Sequence, residues 1–112
     1  MKLTKTSELP LQGVSHNPEI LKKVFIEKGN IPNLMMFGSA VFKPGQEVSE
    51  HFHESMIEVF YVTSGKAKFV IEGEEYVAEK GDCVTIEVGE RHAQSNPFDE
   101  DMTWIYFGIS TA

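Results

Sequence analysis

The sequence predicts a single all-β domain, built as a sandwich or a barrel. Turn residues recur about every eight to twelve positions, from Gly29-Asn30 to Asn96-Pro97. Short segments rich in β-branched and aromatic residues stand between them, of which residues 57–63 are the strongest. Roughly seven to nine strands at this spacing are typical of both architectures. A chain of 112 residues suits one domain.

The N-terminal third is the part whose secondary structure is least defined by pattern. Asn17 followed by Pro18 suits the first turn of a short helix. Residues 20–27 fit helical spacing, yet their β-branched and aromatic run, Val24 to Ile26, favours a strand. We therefore predict that residues 1–33 form an N-terminal segment with one or more strands. Residues 34–112 then form the body of the barrel, within one domain overall.

The remaining strands are bounded by glycine, proline and asparagine. Pro44-Gly45 ends the first of them, and Gly65, Gly73, Gly81 and Gly89 separate those that follow. Alternation of apolar and polar residues is clearest over residues 66–72. The predicted strands cover residues 34–42, 57–63, 66–72, 75–78, 83–88, 92–95 and 103–109.

Charge and cysteine content narrow the range of partners. The formal net charge is −7, and the nine lysines and one arginine are scattered, so neither nucleic acid nor a membrane surface is an expected partner. The single cysteine, Cys83, excludes an internal disulfide and fits a reducing compartment. The first residues lack the apolar stretch of a signal peptide. We predict a cytoplasmic protein.

Three of the four histidines stand near one glutamate in a pattern suited to metal binding. His51 and His53 have the i, i+2 spacing that places two side chains on one face of a strand. Glu58 follows at an odd separation, so a bend over residues 54–56 must reset the alternation. With His92 from a distant segment, three imidazoles and one carboxylate suit Fe, Mn, Ni, Cu or Zn. On a six-coordinate ion, two positions would stay open.

The spacing of glycines and ligands resembles the two sequence motifs of the cupin superfamily. The first motif runs from Gly45 through His51, His53 and Glu58 to Gly65. The second matches at Gly81, Gly89, His92 and Asn96, with Glu87 where the family has proline. That proline stiffens a turn and is not a ligand, so the departure concerns rigidity and not metal binding. The motifs span residues 45–96, roughly half of the chain.

The resemblance implies a small single-domain cupin barrel, a double-stranded β-helix or jelly roll. It implies one divalent transition metal held by His51, His53, Glu58 and His92 near an open end of the barrel. It also implies a homodimer, formed through an N-terminal strand or an outer sheet face. Cupin activities are broad and include dioxygenases, isomerases and decarboxylases as well as binding proteins, so the family alone does not identify the reaction.

Candidate substrate contacts follow from strand parity and from position between the ligands. Gln94 points to the same face of its strand as His92. We give equal weight to two interpretations, a pocket residue and a polar residue at the edge of the sheet. Met56 and Phe60 are candidates for the apolar pocket wall, although core packing is the default interpretation for such residues. Tyr106 is likewise interpreted as a packing residue, and His16 as a surface residue outside both motifs.

Two functions remain open from the sequence. The first is an enzyme that acts on a small oxygen-chelating substrate: a dicarbonyl, an oxo or hydroxy acid, a diol or a sugar. The metal would act as a Lewis acid, in a dioxygenase with Fe or Mn, or in an isomerase or decarboxylase with Zn or Ni. The second, the alternative, is a non-catalytic sensor or binding module, which is consistent with the lack of an evident separate catalytic base.

Overall fold

The computed structural model describes the whole chain, Met1–Ala112, and is almost entirely β. A 3-10 turn, Thr6–Glu8, precedes the first strand. The ten strands are β1 (Gln12–Val14), β2 (Asn17–Ile26), β3 (Leu34–Phe42), β4 (Glu47–His51), β5 (Met56–Ser64), β6 (Lys66–Ile71), β7 (Glu74–Glu79), β8 (Cys83–Ile86), β9 (His92–Ser95) and β10 (Met102–Ser110). The prediction of an all-β domain is confirmed.

The strands form two antiparallel sheets that close into a jelly-roll barrel. One sheet has six strands in the order β1-β2-β3-β10-β5-β8, and the other has four in the order β4-β9-β6-β7. Neighbours along the chain often lie in different sheets: β4 leaves the six-stranded sheet, and β5 returns to it. The segment between β4 and β5 therefore bridges the two sheets at one end of the barrel.

The core lies between the sheets and is rich in aromatic rings. Alternate residues of β10, including Met102, Trp104 and Tyr106, are buried and point inward. The Trp104 ring centroid lies 4.7 Å from that of Phe60 and 4.9 Å from that of Phe42. Burial of one such side chain contributes about 2 to 3 kcal/mol, and the ring edges and faces interlock as aromatic pairs prefer. This cluster forms the floor beneath the candidate site.

The N-terminal segment is a strand of the main sheet, which corrects the proposed helical turn after Asn17. β2 pairs with β3 through Leu21 to Ile26 and with the short β1 on its other side. The Asn17 side chain does not cap a helix; its amide donates to the carbonyl of Glu47, at 2.9 Å. Backbone pairing with a strand on each side stabilises the extended conformation of β2, although its sequence also fits helical spacing.

Close backbone approach explains one of the turn glycines. Gly65, between β5 and β6, has φ of +72°, a conformation that glycine adopts without a steric penalty. A Cβ atom there would collide with the carbonyl oxygen of Asp101.

The structure contains no helix with the length and hydrophobicity needed to span a bilayer.

Candidate metal centre

Three strands and one bend bring the predicted ligands together. His51 ends β4 and lies directly opposite His92, the first residue of β9. Glu58 lies on β5, in the other sheet. His53 lies two residues beyond the end of β4, and its side chain still converges with that of His51. The predicted reset is present, because Glu54 and Ser55 form a bend before β5 begins.

The four side chains converge on one point. One possible ligand atom from each of His51, His53, Glu58 and His92 lies within 4.8 Å of every other. The Oε1 atom of Glu58 is 3.0 Å from Nε2 of His53 and 3.2 Å from Nε2 of His92. Two atoms that each lie about 2.1 Å from one ion, at right angles to each other, are about 3 Å apart. The spacing therefore fits a single divalent ion.

Backbone carbonyls determine which nitrogen of two imidazoles faces the centre. Nδ1 of His51 lies 2.8 Å from the carbonyl oxygen of Ser49, and Nδ1 of His92 lies 2.9 Å from that of Glu90. A carbonyl oxygen only accepts, so each Nδ1 is the donor. In the neutral rings Nε2 then carries a free lone pair, which is the arrangement found in histidine metal ligands.

The facing atoms lack hydrogen-bond partners although they are buried. Nε2 of His53, Oε1 of Glu58 and Nε2 of His92 are enclosed and make no hydrogen bond of acceptable direction. In the short contacts, the nitrogen lone pairs of the two imidazoles therefore face the carboxylate oxygen. These groups repel each other unless a cation lies between them. The donor set of three nitrogens and one oxygen fits a divalent transition metal.

The pKa directions report the same electrostatic arrangement. Burial raises the pKa of Glu58, but the three imidazoles outweigh burial and hold that pKa below its usual value. Burial lowers the pKa of His92, but the adjacent Glu58 carboxylate and the hydrogen bond to the Glu90 carbonyl leave it raised. Burial, together with the neighbouring imidazoles, lowers the pKa of His51. The centre therefore favours an added positive charge. Either a proton on His92 or a bound metal ion would supply that charge.

A small cavity opens beside the four ligands. Its volume is about 100 Å³, room for roughly three water molecules. Gln94, Met56 and Phe60, the three residues predicted to contact a substrate, all lie in its wall. The wall also contains Val14, Ser15, His16, Lys22, Met36, Ala40, Phe42, Trp104 and Tyr106, together with His51, His53 and Glu58. It is mostly apolar, with a few polar groups in fixed positions.

Two residues of this wall, Gln94 and Tyr106, are buried although each carries a polar group. Gln94 is 8% exposed, its Oε1 atom is enclosed, and no donor reaches it. Tyr106 is equally buried. Burial, with a smaller contribution from the charge of Glu58, raises the pKa of Tyr106 to about 12. The phenol therefore keeps its proton at neutral pH and is available as a donor.

The N-terminal hairpin also contributes to the site, which the sequence motifs did not predict. His16 is exposed, as expected of a surface residue, but its ring stacks on that of His51 with a centroid separation of 4.2 Å. Lys22, from β2, also reaches the cavity wall. Neither residue belongs to a motif, and pairing between distant strands brings them here, so spacing along the chain carried no signal for them.

Known proteins show similarity over most of the chain. A sequence model described as Cupin domain matches residues 38–108. The polyketide synthase CurC of Streptomyces cyaneus is 29% identical over 62% of this chain and 45% of its own length. The oxalate-binding protein of Thermotoga maritima is 27% identical over 62% of this chain and 58% of its own length. The match thus spans about half the length of these relatives.

A solved structure has the same fold over nearly its full length. It is described as a predicted oxalate decarboxylase from Thermotoga maritima, and it superimposes with a TM-score of 0.86. The superposition covers 97% of this chain and 99% of that chain, at 22% sequence identity. Identity at this level establishes the architecture and no more. The jelly-roll barrel expected from the sequence motifs is confirmed.

Proposed function

This chain belongs to the cupin domain family, and we propose that it uses one divalent transition metal to act on a small oxygen-chelating substrate. The ligands would be His51, His53, Glu58 and His92. One observation carries the proposal: the buried, unpartnered atoms of His53, Glu58 and His92 meet at the edge of a cavity. Leaving such groups unpaired is costly, and a bound cation removes that cost.

The cavity limits the substrate by size and by chemistry. About 100 Å³ accommodates a small dicarbonyl, an oxo or hydroxy acid, or a compact diol. A Lewis-acidic ion held there would lower the pKa of a coordinated oxygen group and favour an enolate. The rings of Phe42, Phe60 and Trp104 form its apolar side. Tyr106 would donate a hydrogen bond to the substrate oxygen on which negative charge develops.

The reaction class that best fits these groups is isomerisation or decarboxylation through such an enolate. Dioxygenation is the corresponding class for an iron- or manganese-loaded protein. In each case Gln94 would orient the substrate through its free amide oxygen, and Tyr106 would hold the proton nearest the reacting oxygen. These assignments rest on the position of both side chains in the cavity wall.

A non-catalytic binding module is the second candidate. Apart from the four proposed ligands, the cavity wall contains no carboxylate, and its basic groups are His16 and Lys22. Because the wall offers few groups that could act as a catalytic base, the site is as well suited to binding a ligand as to converting it. The oxalate-binding protein of Thermotoga maritima is a relative whose name describes binding alone.

Metal analysis of protein purified without added metal tests the centre. We expect close to one equivalent of iron, manganese, nickel, zinc or copper in the wild type. His51→Ala and His92→Ala should each lose most of it, because three ligands hold an ion far more weakly than four. His16→Ala is the matched control, since it removes a neighbouring imidazole outside the ligand group. Full metal content in both ligand variants would refute the assignment.

Turnover separates the enzyme from the binding module. The metal-loaded protein would be incubated with 2-oxo acids, 2-hydroxy acids, 1,3-dicarbonyls and diols, with NMR detection of products and an oxygen electrode. Conversion that disappears in His92→Ala supports the enzyme. Binding measured by calorimetry without conversion, for each of the five metals, supports the binding module.

We also propose a cytoplasmic homodimer that binds neither nucleic acid nor membranes. The outer face of the six-stranded sheet carries aromatic rings, and the Phe37 centroid lies 5.3 Å from that of Phe25 and 6.5 Å from that of Phe107. An apolar face of this kind is typical of a subunit interface. Phe107→Glu should convert a dimer to a monomer in sedimentation velocity, whereas Val77→Glu, on the exposed β7, should not.

A further inference from the structure

Lys22 has an unusual position for a lysine. On β2 it shares parity with Ile20 and Val24, which are both buried, so all three side chains point to the core side of the sheet. Lys22 pairs with Ala40 of β3, another buried residue. Its neighbour Lys23 points the other way, and its ammonium donates to the carbonyl of Thr6 at 3.1 Å. An inward-facing lysine needs an anionic or polar partner.

The structure provides no such partner within the protein. Lys68 pairs with Glu75, and the other short contacts between basic and acidic side chains join His53 and His92 to Glu58, so no carboxylate of the chain pairs with Lys22. No side-chain hydrogen bond from Lys22 is present either, unlike that of Lys23. Lys22 is half-buried and borders the same cavity as His51, His53 and Glu58. Its charge is therefore available to a molecule in that cavity.

A second polar group points to the same ligand. Gln94, more than nine-tenths buried, presents an amide oxygen that lacks a donor to this cavity. An acceptor and a cation on the wall complement a molecule that carries both a hydroxyl group and a carboxylate. The chain as a whole has a net charge of −7, so attraction of an anion must come from local groups and not from the overall field.

Building on the proposed metal-dependent function, we infer that the ligand is a small hydroxy carboxylate and that Lys22 selects its charge. The ammonium of Lys22 binds the carboxylate, and the hydroxyl donates to Oε1 of Gln94. Lys22 acts as a specificity residue and takes no part in holding the metal. An ammonium–carboxylate hydrogen bond in a half-buried site is worth more than its counterpart between neutral groups.

Lactate and lactamide provide a direct test, because they have the same shape and differ by one negative charge. Each would be titrated by calorimetry into the metal-loaded wild type, Lys22→Gln and Lys23→Gln. Lys22→Gln should weaken lactate binding about tenfold and leave lactamide unchanged. Lys23→Gln, the matched control on the opposite face, should bind both molecules as the wild type does.

Metal content of the same samples distinguishes failure of this inference from failure of the proposed function. A wild type without stoichiometric metal refutes the proposed function, and the inference with it. A metal-loaded wild type that does not bind lactate, or that does not prefer it to lactamide, overturns the inference alone. So does a Lys22→Gln variant that matches Lys23→Gln, or one that weakens both molecules equally.

Discussion

The two ends of strand β9 are equally buried but differ completely in hydrogen bonding. His92 at its start and Asn96 just after its end are both 0% exposed, and Gln94 between them is 8% exposed. The amide nitrogen of Asn96 donates to the carbonyls of Phe42 and Glu100, and its oxygen accepts from the backbone N–H of Phe98. Gln94 and His92 instead leave Oε1 and Nε2 without partners.

This contrast separates structural polar groups from functional ones. A buried polar group that is fully paired stabilises the fold, whereas one left unpaired costs free energy unless a ligand pairs with it. Asn96 pairs with two backbone groups of the loop that leads into β10 and with the carbonyl at the end of β3. The unpaired atom of His92 faces the other proposed ligands, where a cation can satisfy it, and that of Gln94 lies in the cavity wall, where a bound molecule can do so.

The largest effect on stability is expected at the paired end of β9. Asn96→Ala leaves the two carbonyls and one N–H without partners, at about 1 kcal/mol each, so unfolding free energy should fall by about 3 kcal/mol. Urea denaturation followed by circular dichroism measures this. Metal content should stay at the wild-type level, because the ligands are untouched. A loss below about 1 kcal/mol would show that water replaces the side chain and would remove the basis of the comparison.

Tyr106, on the cavity side of β10, provides an intermediate effect that depends on pH. Its pKa is about 12 in the folded chain against an ordinary 10.0. The folded state therefore holds the proton more tightly, and this contribution to stability is present below pH 10 and is lost as the pH rises from 10 to 12. The loss is between about 2 and 3 kcal/mol.

The matching experiment compares metal-free wild type with Tyr106→Phe in denaturant titrations across that pH range. The variant should lose less stability than the wild type between pH 10 and 12. Tyr61→Phe, on the exposed face of β5, is the control and should follow the wild type. Parallel curves for wild type and Tyr106→Phe would contradict a phenol whose pKa is raised by burial.

The smallest effect is expected where an unpaired group is replaced by an apolar one. Gln94→Met removes the orphan amide oxygen at similar volume, so the metal-free protein should be unchanged or up to about 1 kcal/mol more stable. The control is Gln46→Met, because the Gln46 side chain bonds to the backbone of Lys43 and Glu19 at 2.8 and 3.1 Å. That variant should lose about 1 kcal/mol. Equal losses in both variants would mean that Gln94 is paired in solution.

Much of the candidate centre was predictable because its residues obey local rules. The bend between His53 and Glu58 follows from strand parity, and the inward direction shared by His92 and Gln94 follows from the same alternation. The strand assignment for residues 20–27 was also correct. The helical turn proposed at Asn17 was wrong, because its side chain bonds across the barrel to Glu47, a partner that no local pattern indicates.

The amino-acid sequence by itself determined the all-β class, most of the turns, the family and the set of four metal-ligand candidates. Each of these depends on spacing along one stretch of chain or on a motif. Only the tertiary structure decided that β2 joins the main sheet, that His16 stacks on His51 and that Lys22 faces the cavity. Those contacts depend on the register between strands, which is set by hydrogen bonds and packing between residues far apart in the chain.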